Sequence, residues 1–320
     1  GILSSALGRP MEESQYVDVP WHSGQLYKKK DNRTNLSYYL EHNILLPKAT
    51  FSVGVMANQN TGYDSKFHFY PGVDIAWRPT REWKIAASWN MALRMPTFTD
   101  LYYKSPTQEG NVGLRPEETQ AFSLGAQYRR PIIRTSANIF YHKGKNMIDW
   151  VMYTPEDAFH SANFELDNYG VEADAVLNFH ETFGERFFLE KINIGYTYIH
   201  QKRHDDMAIY KSNYALEYLR HKFVAGITHR IWSNLSATWA FRWQDRMGNY
   251  IKYDSPSDAS GTLTPYHPYA LVDLRVQWRT PRYHLYVEGC NLTNHTYYDL
   301  GNIPQPGFWF KVGGSYRLNF

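Results

Sequence analysis

A two-residue alternation of apolar and polar side chains recurs along most of this chain and limits the folds open to it. The last thirteen residues, FWFKVGGSYRLNF, place an apolar residue or glycine at every second position from Phe308 to Phe320. The same spacing recurs in ALVDLRVQWRT, NLSATWAFRWQ and YGVEADAVLNF. Because successive side chains of a β-strand point to opposite faces, the pattern predicts antiparallel strands with one apolar and one polar face.

Short and long connections alternate between these strands. Tight connections are predicted near Pro47, 79–81, Pro131, 231–234 and 281–282, with a longer piece at 180–188. Long polar stretches lie at 93–117, 154–163, 202–215, 246–265 and 291–307. We therefore expect about thirteen complete strands, many of ten residues or more, which is long enough to cross a bilayer while tilted.

Two all-β architectures fit this pattern: a soluble sandwich or propeller, and a bacterial outer-membrane barrel. The strands exceed the usual five or six residues, and the polar face carries Asp, Arg, Glu and Gln in mid-strand, as a wet lumen permits. Trp77 and Trp83 flank one tight turn, and Trp278 and Tyr283 flank another, where an interfacial aromatic belt would lie. With long loops on one side only, these features favour a membrane barrel with short periplasmic turns.

Composition excludes several other classes of protein. Aromatic residues make up 17% of the chain, yet no run approaches the roughly 20 apolar residues of a membrane-spanning helix. The single cysteine, Cys290, rules out an intramolecular disulfide and argues against a cysteine-built zinc site. The net charge of +3 is spread along the chain. Its one basic cluster, residues 28–30, is too short to indicate nucleic acid, and we interpret it as a solvated loop.

The direction of the strands follows from counting back from the C-terminus. If Phe320 ends in the periplasm, every tight turn is periplasmic, and the strand at about 33–46 descends from outside. Residues 1–32 then form an extracellular loop and strand stub, and residues 33–320 form barrel strands. Bacterial barrels start in the periplasm and have an even number of strands. An odd count does not close, so we expect the chain to be the C-terminal part of a larger barrel.

The most specific motif lies in ALRMPTFTDLYYKSPTQEGNVGLRPEETQAFSLGAQYR, residues 92–129. Its signature positions are Arg94, Pro96, Thr97, Phe98, Leu101, Tyr102, Gly110, Asn111, Leu114, Pro116, Glu117 and Gly125. Together with GCNLTNHTYYD and PQPGFWFKVGGSYRLNF near the end, this segment resembles TonB-dependent outer-membrane receptors over most of residues 36–320. The terminal Phe320 also resembles the signal by which outer-membrane proteins are recognised for insertion.

The resemblance implies a barrel of 22 strands with an N-terminal plug inside it. This chain would supply about the last 13–14 strands, without the plug and without the segment that recruits TonB. The implied location is the bacterial outer membrane, and the implied partners are outer-membrane lipid, lipopolysaccharide and, through the absent N-terminal region, the TonB complex. A surface lipoprotein that caps the barrel is a further candidate. The resemblance implies no enzymatic activity, no cofactor and no nucleic acid partner.

For function, the resemblance implies TonB-energised uptake of a bulky, scarce metal chelate. The segment RMPTFTDLYY is most similar to the cobalamin-receptor branch. Cobalamin is therefore the favoured ligand, with haem or a ferric siderophore as alternatives. A passive porin-like channel remains an alternative of another class, although it should lack the motif at 94–125. An outer-membrane hydrolase is disfavoured, because no G-x-S-x-G elbow accompanies His284 and Ser315.

Two sets of residues are candidates within the receptor interpretation. Aromatic platforms suit bulky ligands, so the substrate candidates on extracellular loops are Tyr102, Tyr103, Trp150, Tyr153, Arg246 and Tyr250. The signature residues are expected to fold their own loop. Thr97 after Pro96 should cap a short helix, and Glu117 should pair with Arg94.

Two other polar segments raise the question of a metal site. His200 and His204 in HQKRHDDM, with Asp205 and Asp206, have ligand chemistry for a hard metal, and DSPSDASG at 254–261 is rich in Asp and Ser. The second segment lacks the ligand spacing of a calcium loop. His160 and His204 are also loop histidines of the kind that bind haem. We interpret all of these as solvated loop residues and predict no metal site.

Overall fold

The computed structural model describes residues 2–5 (backbone only), 7–18, 24, 26–184, 187–204, 208–213, 215–253, 255 and 261–318. Within them, thirteen strands follow one another along one antiparallel sheet, and each pairs with its neighbours in sequence. They are β1 (Asn35–Leu45), β2 (Ala49–Asn60), β3 (Phe67–Trp77), β4 (Trp83–Arg94), β5 (Glu117–Arg129), β6 (Ile133–Met152), β7 (Phe159–Asn178), β8 (Leu189–Arg203), β9 (Leu219–Trp232), β10 (Leu235–Arg246), β11 (Tyr269–Arg279), β12 (Tyr283–Cys290) and β13 (Trp309–Tyr316). The predicted strand count is confirmed.

The remaining elements are short. Three short strands extend the main sheet beside the ends of β6 and β7: Gln108–Glu109 pairs with β7, Lys211–Ser212 pairs with β6, and Lys104–Ser105 pairs with Gln108–Glu109. Small separate sheets are formed by Ile2–Ser5 with Arg9–Pro10 and Lys29–Asn32, by Val17–Asp18 with Leu26–Tyr27, by Asn249–Lys252 with Thr262–Pro265, and by Tyr298–Leu300 with Ile303–Pro304. The helices are α1 (Phe98–Tyr102), α2 (His180–Phe183) and a 3₁₀ turn at Glu13–Gln15. No helix of the described residues has the length and hydropathy to span a membrane.

The alternation in the sequence produces two chemically distinct faces, because the strand register places apolar residues opposite apolar ones and polar residues opposite polar ones. Phe122 lies opposite Trp89 on β4 and Tyr141 on β6, with ring centroids 6.3 Å and 6.2 Å apart. Its neighbour Ser123 lies opposite Ser88, and their hydroxyl oxygens are 2.7 Å apart. One face of the sheet is therefore apolar and the other is hydrogen-bonded and polar.

The apolar face is exposed in the isolated chain. Ile139 is 55% exposed and Val312 is 66% exposed, and such exposure is typical of strands that face lipid rather than a dry interior. A buried hydrophobic cluster lies elsewhere, next to the connection at 153–158 between β6 and β7, where Val151, Phe164 and Leu166 pack together with Ala162. Within the described residues, the apolar side chains do not interdigitate with those of a second large sheet, as they would in a sandwich.

The connections match the sequence prediction at one end and differ from it at the other. Short connections join β1–β2, β3–β4, β5–β6, β9–β10 and β11–β12, and α2 lies in the longer β7–β8 connection, all as predicted. The loop expected at 154–163 is shorter than predicted: residues 153–158 form it, but Phe159–Asn178 is already a strand, in which His160 pairs with Val151 and Asn163 with Ile148. A loop at 61–66 was not expected. The terminal Phe320 lies outside the described residues.

Candidate functional site

The long loops share one end of the sheet. Because neighbouring strands run antiparallel, connections alternate between the two ends. The loops at 61–66, 95–116, 153–158, 204–218, 247–268 and 291–308 therefore meet at the end opposite the short turns. This end is the candidate ligand-binding surface, and we call it the loop end.

Helix α1 is built by a local capping motif in the loop at 95–116. The Thr97 hydroxyl accepts a hydrogen bond from the Asp100 amide at 3.1 Å, and the Thr97 amide donates to Asp100 Oδ2 at 2.8 Å. This reciprocal capping box satisfies two amides that the helix itself leaves unpaired. The predicted cap at Thr97 is confirmed, and the helix ends at once because Tyr103 returns to an extended conformation.

The loop is closed at its base by an ion pair between Arg94 and Glu117. Arg94 Nε and Nη2 each donate to a different oxygen of Glu117 at 2.5 Å, and the Ile148 amide donates to Glu117 Oε1 at 2.6 Å. Glu117 is only 7% exposed. A buried carboxylate requires such donors, and a bidentate guanidinium supplies two of them. The predicted pairing of Arg94 with Glu117 is confirmed.

Asp100 joins α1 to the strands behind it. Its Oδ1 accepts a hydrogen bond from Trp150 Nε1 at 3.3 Å, and its carbonyl oxygen accepts from the Ser161 hydroxyl at 2.6 Å and the Asn111 amide at 2.9 Å. These contacts reach β6 and β7, some 50 and 60 residues along the chain. The contacts of Asp100 with Trp150 and Ser161 do not follow from the sequence, because only the fold brings these partners close.

Gly110 and Asn111 let the chain turn back against α1. A Cβ at Gly110 would lie 2.9 Å from Asp100 O, Leu101 C and Tyr102 N, a distance that real side chains essentially never adopt. Asn111 Oδ1 accepts a hydrogen bond from the Gly113 amide at 2.8 Å. Pro116 is buried beside Glu117. These contacts are the kind expected if the signature residues fold the loop, which remains our interpretation of them.

Asp149 is another buried carboxylate, and it was not among the residues predicted from the sequence. It is 1% exposed, and its Oδ2 accepts hydrogen bonds from the Ser212 hydroxyl and from the Ala215 amide, the latter at 3.0 Å. Asp149 thereby holds the loop at 204–218 against β6. The available signal was a carboxylate inside the apolar run MIDWVM, residues 147–152, since a charge among apolar neighbours is retained in a protein only with partners.

The opposite side of α1 contacts the N-terminal part of the chain. The Tyr102 hydroxyl donates a hydrogen bond to Asp31. Arg33 Nη1 donates to the Pro96 carbonyl at 2.5 Å, and its guanidinium lies 4.9 Å from the centre of the Phe98 ring. Burial, together with the hydrogen bond to Asp31, raises the pKa of Tyr102 above its ordinary value. Tyr102 therefore stays a neutral hydrogen-bond donor at physiological pH.

An aromatic cluster forms between the loops at 247–268 and 291–308. Tyr250 lies between the rings of Tyr266 and Tyr298, at centroid distances of 5.1 Å and 5.2 Å. The Arg246 guanidinium lies 5.7 Å from the Tyr266 ring, and its Nη2 lies 3.2 Å from Asp299 Oδ1. Burial raises the pKa of both Tyr250 and Tyr266. These loops therefore pack on each other rather than standing apart.

Lys211 and Glu217 connect the loop at 204–218 to the loop at 247–268. Lys211 Nζ lies 2.5 Å from Glu217 Oε1 and donates to the Asn249 carbonyl at 2.9 Å. The Tyr266 hydroxyl donates to Glu217 Oε2 at 3.2 Å. Ser212 and Ala215 also contact β6, as described above. The loops at 95–116, 153–158, 204–218, 247–268 and 291–308 therefore form one connected layer, which we call the loop layer and which does not include the loop at 61–66. No role for Lys211 or Glu217 follows from the sequence.

The six substrate candidates divide by exposure. Trp150 and Tyr250 are 7% and 4% exposed, so their rings fill the layer and present little surface to a ligand. Tyr102 and Arg246 are partly buried and engaged in the contacts above. Tyr103 and Tyr153 are each 36% exposed. Tyr103 packs edge-on against Trp150 at 6.3 Å, which connects an open ring to a buried one.

Tyr153 belongs to a small polar unit at the tip of the β6–β7 hairpin. Its ring stacks on His160 with centroids 5.9 Å apart, and His160 Nε2 lies 3.0 Å from Asp157 Oδ1. The hydrogen bond from His160 lowers the pKa of Asp157 below its ordinary value. The open ring of Tyr153 is thus oriented by a neighbouring histidine and carboxylate.

The hypothetical metal sites are only partly covered by the structure. His204 Nε2 lies 2.8 Å from Asp167 Oδ2, and the His200 ring lies 5.0 Å from that of Tyr169, so the two histidines have different partners. Asp205 and Asp206 lie outside the described residues, as does most of 254–261. Within the residues that are described, no group of three or more His, Cys, Asp or Glu side chains is arranged to hold a metal ion.

Comparison with known proteins gives a family and a set of structural neighbours. A sequence model of the family described as TonB dependent receptor-like, beta-barrel, matches residues 9–294. Among curated proteins, the vitamin B12 transporter BtuB of Photobacterium profundum is 25% identical over 143 residues. That match covers 45% of this chain and 22% of the transporter.

Solved structures share the fold over most of the chain at low sequence identity. The FrpB iron transporter from Neisseria meningitidis aligns with a TM-score of 0.66 and 17% identity, over 89% of this chain and 45% of that one. A mutant of the ferric enterobactin receptor PfeA from Pseudomonas aeruginosa gives 0.66 and 17%, over 93% and 47%. The copper transporter OprC gives 0.67 and 14%, over 89% and 47%. The chain thus spans less than half the length of each solved protein.

Proposed function

Because the chain belongs to the TonB-dependent receptor β-barrel family, we propose that it forms part of a receptor that takes up a bulky, scarce ligand, with cobalamin favoured. The family makes it an outer-membrane transporter chain and not an enzyme. Its sheet is part of an antiparallel barrel, with the apolar face toward lipid. The names of similar proteins are those of an iron transporter, a siderophore receptor, a copper transporter and a vitamin B12 transporter.

The observation that carries the proposal is the match to the family across residues 9–294. The cobalamin preference is supported by the 143-residue similarity to BtuB and by the wording RMPTFTDLYY. In the proposed mechanism, the connected loop layer binds the chelate from outside, and energy from the TonB complex is delivered through a part of the receptor outside this chain. Outer-membrane lipid and lipopolysaccharide would contact the apolar face. No bond in the ligand is broken.

Within this proposal, Tyr103 and Tyr153 are the residues most able to touch a ligand. Both rings are open at the loop end, and both are oriented by a packed neighbour, Trp150 or His160. Aromatic side chains have only two χ angles, so they provide contact area at little cost in conformational entropy. Such rings dominate many binding surfaces. The buried Trp150 and Tyr250 would act indirectly, by holding the loop layer together.

Binding of cyanocobalamin, haemin and ferric enterobactin to the detergent-purified full-length gene product tests the proposal. We expect saturable binding of cyanocobalamin, and about tenfold weaker binding in the Tyr103→Ala/Tyr153→Ala variant, because about 1.4 kcal/mol of lost contact is tenfold in affinity. The matched control is Tyr63→Ala, an exposed tyrosine in the loop at 61–66, which should bind normally.

Other outcomes select the alternatives. Binding of haemin or the ferric siderophore in place of cyanocobalamin keeps the receptor and replaces its ligand. If none of the three binds while small sugars diffuse freely through vesicles that contain the protein, a passive channel explains the barrel better. An equal loss of affinity in the Tyr63→Ala control contradicts the assignment of Tyr103 and Tyr153.

A further inference from the structure

Two loops of the loop layer cross the tip of the β6–β7 hairpin. The loop at 95–116, which we call the α1 loop, joins β4 to β5, yet its strand Gln108–Glu109 pairs with Phe159–His160 of β7. The loop at 204–218, which we call the β8–β9 loop, starts on the other side of the hairpin, yet its strand Lys211–Ser212 pairs with Val151–Met152 of β6. Between these two added strands, Val151 and His160 pair with each other. Each loop therefore passes over the hairpin to reach its far edge.

The α1 loop covers one face of the tip. Trp150 and Ser161 are register partners on β6 and β7, and both donate hydrogen bonds to Asp100, through the indole Nε1 at 3.3 Å and the hydroxyl at 2.6 Å. Asn163, on the same face of β7, accepts a hydrogen bond at Oδ1 from the Arg115 amide at 2.8 Å. Ser161 is buried, so the loop shields this face of the hairpin from water.

The β8–β9 loop covers the opposite face. Asp149 Oδ2 accepts hydrogen bonds from the Ser212 hydroxyl and the Ala215 amide. The register partner of Asp149 is Ala162, a member of the buried hydrophobic cluster, and apolar side chains of the loop pack against that cluster. Because successive side chains of a strand point to opposite faces, the consecutive residues Asp149 and Trp150 hold different loops.

The tip depends on these loops because the long neighbouring strands pair only below it. Within the part of the chain that the structure describes, β6 pairs with β5 only as far as Lys145, and the register of β7 with β8 begins at Leu166. Beyond those residues the loops take over, and the Asn213 amide donates to the Trp150 carbonyl at 3.0 Å. Trp150 is thus held by the α1 loop through its ring and by the β8–β9 loop through its carbonyl. A displacement of this segment that breaks one set of contacts must strain the other.

We propose that the tip of the β6–β7 hairpin is a two-sided clasp, through which the α1 loop and the β8–β9 loop open and close as one cooperative unit. Contiguous regions of a protein open together in this way, and coupling between two sites is reciprocal, so loosening either loop loosens the other. The clasp is built from contacts within this chain and does not depend on the ligand proposed above. Through the packing of Tyr103 on Trp150, a contact at the exposed loop end also acts on the β8–β9 loop.

Hydrogen exchange of the full-length gene product in nanodiscs, followed by mass spectrometry without ligand, tests the clasp. Ser212→Ala removes a donor to a buried carboxylate, and we expect the peptide that contains Asn111, in the α1 loop, to exchange about fivefold faster or more. Ser161→Ala removes a donor to α1 and should accelerate the peptide that contains Asn213, in the β8–β9 loop, in the same way. In each case the peptide belongs to the loop on the face opposite the substitution.

The double variant Ser161→Ala/Ser212→Ala distinguishes one unit from two independent loops. Because both substitutions weaken a single opening equilibrium, their factors should multiply in both loops, whereas independent loops would each respond to one substitution alone. The matched control is Ser236→Ala, which removes a buried hydroxyl near the short turn between β9 and β10, where it accepts from Gln277 Nε2 at 3.2 Å. The control should leave exchange in both loops unchanged.

Acceleration confined to the loop that each substitution touches overturns the proposal. So does a double variant in which neither loop exchanges faster than in a single variant. Acceleration that spreads equally to the peptide of β11 reports general unfolding and also contradicts the clasp, as does faster exchange of both loops in the Ser236→Ala control. Because no ligand is added, none of these results bears on cobalamin uptake, and the two proposals fail separately.

Discussion

At the scale of single residues, Glu117 is the carboxylate on which the ordering of the loop at 95–116 depends most directly. It receives two hydrogen bonds from Arg94 and one from the Ile148 amide, and so joins the base of the loop to β6. Arg94 is about half exposed on its side chain, which screens the charge attraction in part. The hydrogen bonds to the buried carboxylate therefore matter more than the ion pair as such.

The variant Glu117→Gln should loosen this junction. The amide side chain retains one acceptor but presents a donor to Arg94, so we expect local opening to become easier by about 1–3 kcal/mol. Hydrogen exchange of the peptide that contains Ile148 should then be about 5- to 150-fold faster. The control is Lys104→Gln, which breaks the exposed Lys104–Glu109 pair and should change exchange little. Equal effects of both variants would contradict this role of Glu117.

Gly110 gives a second residue-scale prediction. In Gly110→Ala the new methyl group meets three backbone atoms of α1 at 2.9 Å, so α1 must shift, at a cost of about 1–3 kcal/mol. Tryptic cleavage after Lys104 in the folded protein should become faster. Gly113→Ala, in the same loop, meets only the Asn111 side chain at 3.1 Å and should be cleaved like the parent protein. Slow cleavage of both variants would disprove the close packing at Gly110.

Local chemistry explains which of these residues were foreseen. Thr97 directly follows Pro96, a pattern from which a helix cap is predictable, and Arg94 and Glu117 belong to one motif; the capping partner Asp100 was not foreseen. Asp149 and Glu217 were missed because their partners, such as Ala215 and Tyr266, are about 50 residues or more away. Only strand pairing brings such residues together.

At the scale of elements, the β6–β7 hairpin departs most from the sequence expectation. Its polar segment was predicted as loop, yet both strands are 20 residues long. The bulge between Gly144 and Met147 shifts the register, and beyond it the strands pair through an apolar patch. A two-residue alternation cannot be followed across such a bulge, so the sequence pattern ended earlier than the strands do.

The tip of this hairpin should respond to acid. The hydrogen bond from His160 lowers the pKa of Asp157 below its ordinary value of 3.8. A lowered carboxyl pKa means that the contact stabilises the tip fully above that ordinary value and is lost as the pH falls through the lowered one. NMR of the His160 ring in nanodiscs should report this transition at acidic pH. Asp157→Asn should abolish it, and an unchanged titration in that variant would refute the contact.

At the scale of the whole molecule, the alternation was sufficient to predict thirteen strands and two faces, because in this architecture side-chain periodicity alone decides which face meets lipid. The adjacent residues Ile139 and Asn138 are an example, with Ile139 on the apolar face and Asn138 on the polar face. What periodicity could not supply is the packing of the loop layer, which follows from long-range contacts at Glu217, Asp149 and Asp100.

The pair also gives a test of the membrane assignment. Ile139→Lys should destabilise the protein folded in vesicles, by about 2–4 kcal/mol if the site is near the middle of the bilayer, whereas Asn138→Lys faces the lumen and should be tolerated. Urea titration in lipid vesicles measures both. In a soluble protein an exposed isoleucine would accept lysine at little cost, so tolerance of Ile139→Lys would argue against the lipid-facing side.

The long hairpin implies that one polypeptide is stabilised in two solvents. About 9–11 residues suffice for a strand to cross the bilayer, so nearly half of each 20-residue strand stands above it, and there Val151, Phe164 and Leu166 form a cluster shielded from water. This crown relies on the hydrophobic effect and weakens in urea, while the belt below relies on backbone hydrogen bonds in lipid. Calorimetry should therefore resolve two melting steps, and urea should lower the melting temperature of the crown more than that of the membrane-embedded part.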